Sequence, residues 1–287
     1  MNRLLGVALI IISAASFGTL AIFGRYAYAD GIDTFTLLFL RFTTAAILMG
    51  AFLIYRREAL PSGRSLVSLI GMGGLGSVGQ SFTYLSAIKY ASAGLVAILL
   101  YLYPTFVAIL SVVFLKRKPT RPEGYALLLA TIGVALTADP KGGQWTGILL
   151  ALSAAVIYSV YIIVGAGVMQ QVSPVQSSTV IFASAGLVYG ILAAINGAHW
   201  PASTNGWATV AAMALVATVI PVATFLAGLK RIGPTDASML STLEPVVTVL
   251  LAAWLFGERL QLVTLLGGGL ILAAVILLTR SEILRRD

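Results

Sequence analysis

Residues 142–229 read GGQWTGILLALSAAVIYSVYIIVGAGVMQQVSPVQSSTVIFASAGLVYGILAAINGAHWPASTNGWATVAAMALVATVIPVATFLAGL, 88 consecutive positions without an Asp, Glu, Lys or Arg. A hydrocarbon layer about 30 Å thick is crossed by about 20 helical residues, so this run is long enough for several crossings. Turn-forming residues divide it, first at Gln170, Gln171, Ser173 and Pro174, then at Asn196-Gly197, Pro201 and Asn205-Gly206. It lacks the ten-residue segments of alternating polarity that mark transmembrane strands, so the spans read as helices.

The rest of the chain follows suit. Residues 4–24, 65–88, 90–115 and 260–279 are also uncharged. Of 287 residues, 59% are hydrophobic and 10% charged, with a mean hydropathy of +0.99. A soluble domain carries about 25% charged residues, so a water-soluble globule is excluded. The expected fold is all-α, a polytopic membrane protein of ten transmembrane helices. They run roughly over 3–29, 34–55, 65–88, 92–115, 122–138, 145–170, 175–196, 206–230, 235–256 and 261–280. The first span resembles a signal peptide, but its apolar run is too long and it has a partner later in the chain. Without Cys, and with His199 as the sole His, disulfides, thiol nucleophiles, Cys-ligated zinc and most His-based acid–base chemistry fall away. No metal, no cofactor and no enzymatic activity are expected.

The partner appears when the sequence is shifted by 141 residues. Gly6 then meets Gly147, Gly24 meets Gly165, Lys89 meets Lys230 and Pro104 meets Pro245, with Leu85, Leu102 and Leu110 on Leu226, Leu243 and Leu251. Two units follow, residues 1–140 and 141–287, each of five spans. Because five is odd, the second unit enters the membrane inverted, an arrangement used by transporters with a site near the midplane.

Charge placement supports the inversion. With both termini cytoplasmic, Arg3, Arg56, Arg57, Arg64, Lys116, Arg117, Lys118, Arg121, Lys230, Arg231, Arg280, Arg285 and Arg286 lie inside, 13 of 18 basic residues. Lys89, Lys141, Arg259 and Arg25 fall outside, and Arg41 within a span. The loop at 56–64 holds three Arg, whereas its counterpart at 197–205 holds no Lys or Arg. Trp145, Trp200, Trp207 and Trp254 all fall at the outer interface, as an aromatic belt would. The net charge of +8 is thus a topology signal and leaves nucleic-acid binding without support.

Gly71-Met72-Gly73-Gly74-Leu75-Gly76 fits G-x-G-x-x-G, but no strand precedes it and no acid follows until Glu123. Gly73, Gly76 and Gly79 instead read as a smooth face for close helix packing, as does Gly267-Gly268-Gly269. No P-loop occurs, so ATP-driven transport by this chain alone is unsupported. Pro104, Pro221 and Pro245 lie within spans and free the carbonyls of Leu100, Ala217 and Ser241. Static kinks are the alternative, but the matched pair Pro104 and Pro245 favours hinges.

Glu244, just before Pro245, is the only carboxyl deep in a span, and it reads as proton carrier, partner of a substrate amine, or structural group. Arg41 reads as a helix-junction or snorkelling residue. Lys89 and Lys230 complement helix C-termini. The mid-span positions supply candidate substrate contacts: Thr19, Gln80, Tyr84, Tyr101, Tyr103, Tyr158, Ser159, Tyr161, Thr242 and Glu244. Individually each Tyr suits helix packing; together they favour a flat or amphipathic ligand. A phosphorylated substrate would want several buried cations, and only Arg41 is available. A zwitterion with a large apolar side chain fits best.

Leu226-Ala-Gly-Leu-Lys230, Ala237-Ser-Met-Leu-Ser-Thr-Leu-Glu244-Pro245 and Phe256-Gly-Glu258-Arg259 resemble the second repeat of EamA-type transporters of the drug/metabolite superfamily. The two-repeat plan covers nearly the whole chain. The first half departs from the pattern: Tyr103-Pro104 stands for Glu-Pro and Leu115-Lys116-Arg117-Lys118 for Gly-Glu-Arg, which removes a second intramembrane carboxyl. The resemblance implies a secondary exporter of small metabolites with a central cavity, most similar to exporters of aromatic amino acids, in a bacterial inner membrane. Export of amphipathic drugs or lipophilic cations is the alternative; a membrane-embedded enzyme or a channel are rivals of other classes. The expected partners are a small-molecule substrate and membrane lipids, with a monomer favoured.

Overall fold

The computed structural model describes residues 2–87, 90, 96, 99–116, 120–137, 145–256 and 262–284. Among them every regular element is helical: α1 (Asn2–Phe17), α2 (Leu20–Ala29), α3 (Thr34–Tyr55), α4 (Gly63–Gly71), α5 (Val78–Ala87), α6 (Tyr103–Leu115), α7 (Arg121–Thr137), α8 (Trp145–Val168), α9 (Pro174–Asn196), α10 (Thr204–Ala214), α11 (Ile220–Ile232), α12 (Pro234–Leu240), α13 (Glu244–Phe256) and α14 (Leu262–Leu284). Six described stretches are long and apolar enough to cross a membrane: Arg3–Ala29, Thr34–Tyr55, Trp145–Val168, Pro174–Asn196, Thr204–Ile232 and Pro234–Phe256. Shorter apolar helices occupy Tyr103–Leu115, Gly124–Gly133 and Leu265–Ala274. Lys89, Lys141, Arg117, Lys118, Arg285, Arg286, the Gly257–Arg259 motif, the boundary at 140/141 and the start of the fourth expected span lie outside the described residues.

Helix starts follow local chemistry. Asp33 caps α3 by accepting from the N–H groups of Phe35 (2.9 Å) and Thr36 (3.1 Å). Ser173 and Gln176 form a capping box on α9, with Pro174 in its first turn. Ser203 caps α10 through Gly206 N–H at 3.0 Å. Gly233, at φ +83°, makes the turn from α11 into α12 that a Cβ would strain.

Five rods expected as unbroken helices are interrupted. The first breaks at Gly18-Thr19 between α1 and α2. There the Gly18 carbonyl leaves the helical ladder and accepts from the Thr248 hydroxyl at 2.9 Å, while a Cβ on Gly18 would meet Val247 at 2.8 Å. Met72–Ser77 and Leu215–Val219 are π-helical turns joining α4 to α5 and α10 to α11. Inside them Ser77 Oγ donates to the Met72 carbonyl (3.2 Å) and Thr218 Oγ1 to the Met213 carbonyl (3.0 Å), bonds whose donors and acceptors are each 141 positions apart. A 3₁₀ turn at Ser241–Leu243 separates α12 from α13, and Tyr101-Leu102 form a turn ahead of α6.

The most extensive packing pairs α3 with α9, α7 with α14, α1 with α11, α5 with α8, and α6 with α8 and α12. Under the 141-residue shift the α3–α9 and α7–α14 pairs map onto themselves, and α1–α11 maps onto α8–α5. Small residues permit the closest approaches. A Cβ on Gly73 would collide with the Ile181 carbonyl of α9, and one on Gly133 would meet the Gly267 carbonyl of α14 at 2.7 Å. Gly76 lies against the Tyr161 ring and Gly79 against Ile157.

The two ends of the bundle are separately tied. At one end Asp30 accepts from Ala202 N–H (2.9 Å), Ser203 N–H (3.3 Å) and the Ser203 hydroxyl, and Trp200 packs edge-on against Phe39 at 6.3 Å. At the other end Glu58 accepts from the Ser173 hydroxyl, and Gln176 donates to the Ala59 carbonyl at 2.7 Å. The 22-residue α3, about 33 Å long, separates these ends. Residues 58–60 and 199–203 therefore lie at opposite ends.

Candidate substrate-binding site

Four tyrosines form a chain of ring contacts where α6 meets α8. Tyr101 lies 6.1 Å from Tyr103, Tyr103 meets Tyr158 edge-to-face at 4.8 Å, and Tyr158 stacks on Tyr161 at 5.9 Å. Glu244 opens α13 beside them: the Tyr101 hydroxyl donates to its carboxylate, and Tyr84, Tyr103 and Tyr158 lie within electrostatic reach. Glu244, Tyr84, Tyr101, Tyr158, Gln80 and Ser81 sit deep in the bundle, yet each keeps part of its surface open. They form an incompletely covered aromatic group around one carboxylate.

The expected contacts divide into two groups. Tyr84, Tyr101, Tyr158 and Glu244 come together with open surface, Gln80 lies one turn before Tyr84 on α5, and Thr19 sits at the α1–α2 break with its hydroxyl on the Ser16 carbonyl at 2.6 Å. That break is joined to the Glu244 backbone by Thr248, whose hydroxyl bonds both the Gly18 and Glu244 carbonyls. The other four spend their hydroxyls on the scaffold. Tyr103 is buried and donates to the Ser238 carbonyl at 3.3 Å. Ser159 is buried and bonds the Tyr103 and Ala155 carbonyls at 3.1 and 2.6 Å. Thr242 bonds the Met239 carbonyl at 2.6 Å, and Tyr161 pairs with Ser77. The rings of Tyr103 and Tyr161 shape the cluster; their polar atoms are already used.

Pro104, Pro221 and Pro245 each fall in the first turn of a helical segment, directly after the turn at Tyr101-Leu102, the π turn and the 3₁₀ turn. A missing N–H is harmless there. Of the carbonyls expected to be freed, that of Ala217 accepts from Arg41 Nη2 at 3.3 Å.

Arg41 is only 7% exposed and does not snorkel. Its Nε–H donates to Thr218 Oγ1 at 2.7 Å, and its guanidinium lies 4.9 Å from the Phe42 ring, which stacks on Tyr189 at 5.8 Å. Tyr189 escaped the sequence reading, although it shares a face of α9 with Phe182 and Ala185. Asp236, buried in the first turn of α12, was also missed; Arg3 bonds it at 3.0 Å. A groove of about 690 Å³ between α3 and α9, lined by Phe39, Ala46, Leu187 and Gly190 among others, faces outward and carries no charge.

With this geometry in place, the comparisons decide the family. The EamA-like transporter family model matches residues 4–138 and again 145–280. The chain belongs to the EamA-like transporter family. It is an integral, multi-pass membrane protein with a transport role. An uncharacterized transporter of Archaeoglobus fulgidus is 28% identical over 276 residues, 96% of this chain and 97% of that protein. The uncharacterized inner membrane transporter YedA of Escherichia coli is 28% identical over 249 residues, 85% of this chain and 81% of YedA. A solved crystal structure covering 97% of this chain and 98% of its own superposes with a TM-score of 0.82 at 24% identity, which shows a shared fold.

Proposed function

We propose that this EamA-family chain is a secondary transporter that exports amino acids, aromatic ones favoured, or similar small metabolites by alternating access. The observation that carries the reading is the cluster around Glu244. It places one carboxylate among partly open tyrosines deep in the bundle. Tyrosine faces suit a flat apolar side chain, and a buried carboxylate suits an ammonium group.

Ten spans in two inverted units complete the proposal, with both termini cytoplasmic in a bacterial inner membrane. It is supported by the two family matches, by helix pairings that map onto one another under the 141-residue shift, and by the opposite placement of residues 58–60 and 199–203. The cytoplasmic assignment rests on the excess of Lys and Arg at one end. The matched irregular turns, two π-helical and two preceding Pro104 and Pro245, supply bending points in both halves.

Purified protein in liposomes, loaded with radiolabelled Phe, Tyr, Trp or Thr, tests the substrate. Saturable flux of an amino acid is expected. Flux confined to lipophilic cations would move the assignment to drug export, and non-saturable flux without counterflow would indicate a channel.

A further inference from the structure

Two intramembrane charges, Arg41 and Glu244, stand in an unusual relation. Arg41 and Glu244 lie within electrostatic reach of each other, yet they form no ion pair at 4.0 Å or less, the limit that Arg3 and Asp236 do satisfy. Unlike charges in a low-dielectric interior gain most by touching, and a structural pair would have closed. Each is instead held by its own wall. Arg41 is fixed to the π turn through Nε on Thr218 and Nη2 on the Ala217 carbonyl, with Phe42 beneath it. Glu244 is held at the start of α13 by the Tyr101 hydroxyl.

The remaining guanidinium nitrogen is the informative atom. Arg41 Nη1 makes no hydrogen bond within the described chain, and it is not among the sealed unpaired atoms. A donor of charge-assisted hydrogen bonds, on a side chain more than nine-tenths buried, is thus left unbonded and incompletely covered. The carboxylate of Glu244 likewise retains accepting capacity and open surface. Tyr84, Tyr101 and Tyr158 flank Glu244.

We propose that Arg41 and Glu244 are the two poles of a zwitterion site, the substrate's carboxylate bonding Arg41 Nη1 and its ammonium bonding Glu244, with its apolar body against the tyrosines. A ligand bearing both charges completes both buried groups at once. A ligand bearing one leaves the opposite pole unpaired in the membrane interior, which is the costly state. The inference rests on the transport reading above and adds to it that selectivity is for the charge pair, with Arg41 as a substrate contact as well as a junction residue.

The test is a competition series in proteoliposomes, using counterflow of the best-transported amino acid. If that is phenylalanine, the competitors are phenethylamine, which lacks the carboxylate, and 3-phenylpropionate, which lacks the ammonium. In the unmodified protein each should compete at least ~10-fold more weakly than phenylalanine. In Arg41→Gln the preference for phenylalanine over phenethylamine should collapse to within ~3-fold, while 3-phenylpropionate stays excluded. Glu244→Gln should do the reverse. Arg41→Lys, which keeps the cation, should retain the order of preference, a readout that loss of the Thr218 bond alone would not preserve. Equal competition by phenethylamine and phenylalanine in the unmodified protein overturns the two-pole site while leaving amino-acid transport intact, and needs no variant to fold. Absence of saturable flux for every amino acid overturns the transport reading and the poles together.

Discussion

The Nε–H of Arg41 on α3 donates to the hydroxyl of Thr218 at 2.7 Å, across 177 positions of sequence, and the same hydroxyl donates to the Met213 carbonyl inside a π turn. Thr218 thus links the buried cation to the widened backbone. Thr218→Val removes the acceptor and leaves a charged donor buried without its partner. A loss of about 1–3 kcal/mol is expected, read as a lowered unfolding midpoint in detergent, with Thr218→Ser close to the parent. Ser77→Ala, at the matching hydroxyl of the other π turn, carries no cation and should lose about 1 kcal/mol or less.

The tyrosines should separate by function. Tyr103→Phe removes a hydroxyl already bonded to the Ser238 carbonyl, so it should lower stability by about 1 kcal/mol and leave amino-acid counterflow nearly unchanged. Tyr101→Phe removes the donor to Glu244 and should change transport more than stability. Paired measurements of initial flux and thermal midpoint check both; equal flux defects would contradict the division.

Asp33 makes the end of the bundle sensitive to acid. Partial burial raises the affinity of its carboxyl for protons. Hydrogen bonds from the Thr36 hydroxyl and from the N–H groups of His199, Thr36 and Phe35 outweigh that and hold it below the ordinary value of 3.8. A depressed value means the folded state favours the ionised form. The stabilisation is therefore complete above the usual carboxylate range and is lost as pH falls through the lowered folded-state value. Asp33→Ala should cost about 0.5–2 kcal/mol at neutral pH, where the cap is intact, and progressively less in acid. Unfolding midpoints at a series of pH values provide the measurement.

Close helix approach gives a contrast between two glycines. Gly133→Leu drives a side chain into the Gly267 backbone and Ile271, and should abolish the folded yield or cost more than ~3 kcal/mol. Gly124 on the same helix has open space around its Cβ position, and Gly124→Ala should stabilise by about 0.5–1 kcal/mol.

Much of this architecture could be read from the sequence, and the parts that could not share a cause. The starts at Thr34, Trp145 and Pro174 were reached within a residue because charge gaps and capping residues are local signals. The π turns at Met72–Ser77 and Leu215–Val219 left no trace in hydropathy, since their composition is as apolar as the helices they interrupt. The break at Gly18 depends on Thr248, distant in sequence. Glu244 and the tyrosines were found from depth alone, but depth does not report side-chain direction. Ser159 and Thr242 were therefore grouped with open positions although their hydroxyls are spent on backbone carbonyls. The relation of Arg41 to Thr218 and Ala217 is entirely non-local.

The proposed inversion of the halves has a direct topological consequence. Leu60 and Trp200 are both exposed, 61% and 53%, and sit at opposite ends of the bundle. In a chain without native cysteine, Leu60→Cys and Trp200→Cys should react with an impermeant thiol reagent from opposite faces of oriented vesicles, Leu60→Cys from the cytoplasmic one. Labelling from the same face would contradict the inverted arrangement.

The proposed alternating access is best tested at Ser81, which sits one turn before Tyr84 on the same face of α5 and is partly open. Ser81→Cys in otherwise cysteine-free protein should react with an impermeant thiol reagent applied to either side of the membrane, and saturating transported amino acid should slow both reactions. Labelling from one side only under all conditions, or labelling indifferent to every amino acid that is transported, would contradict a substrate path that opens in turn to each face around Glu244 and its tyrosines.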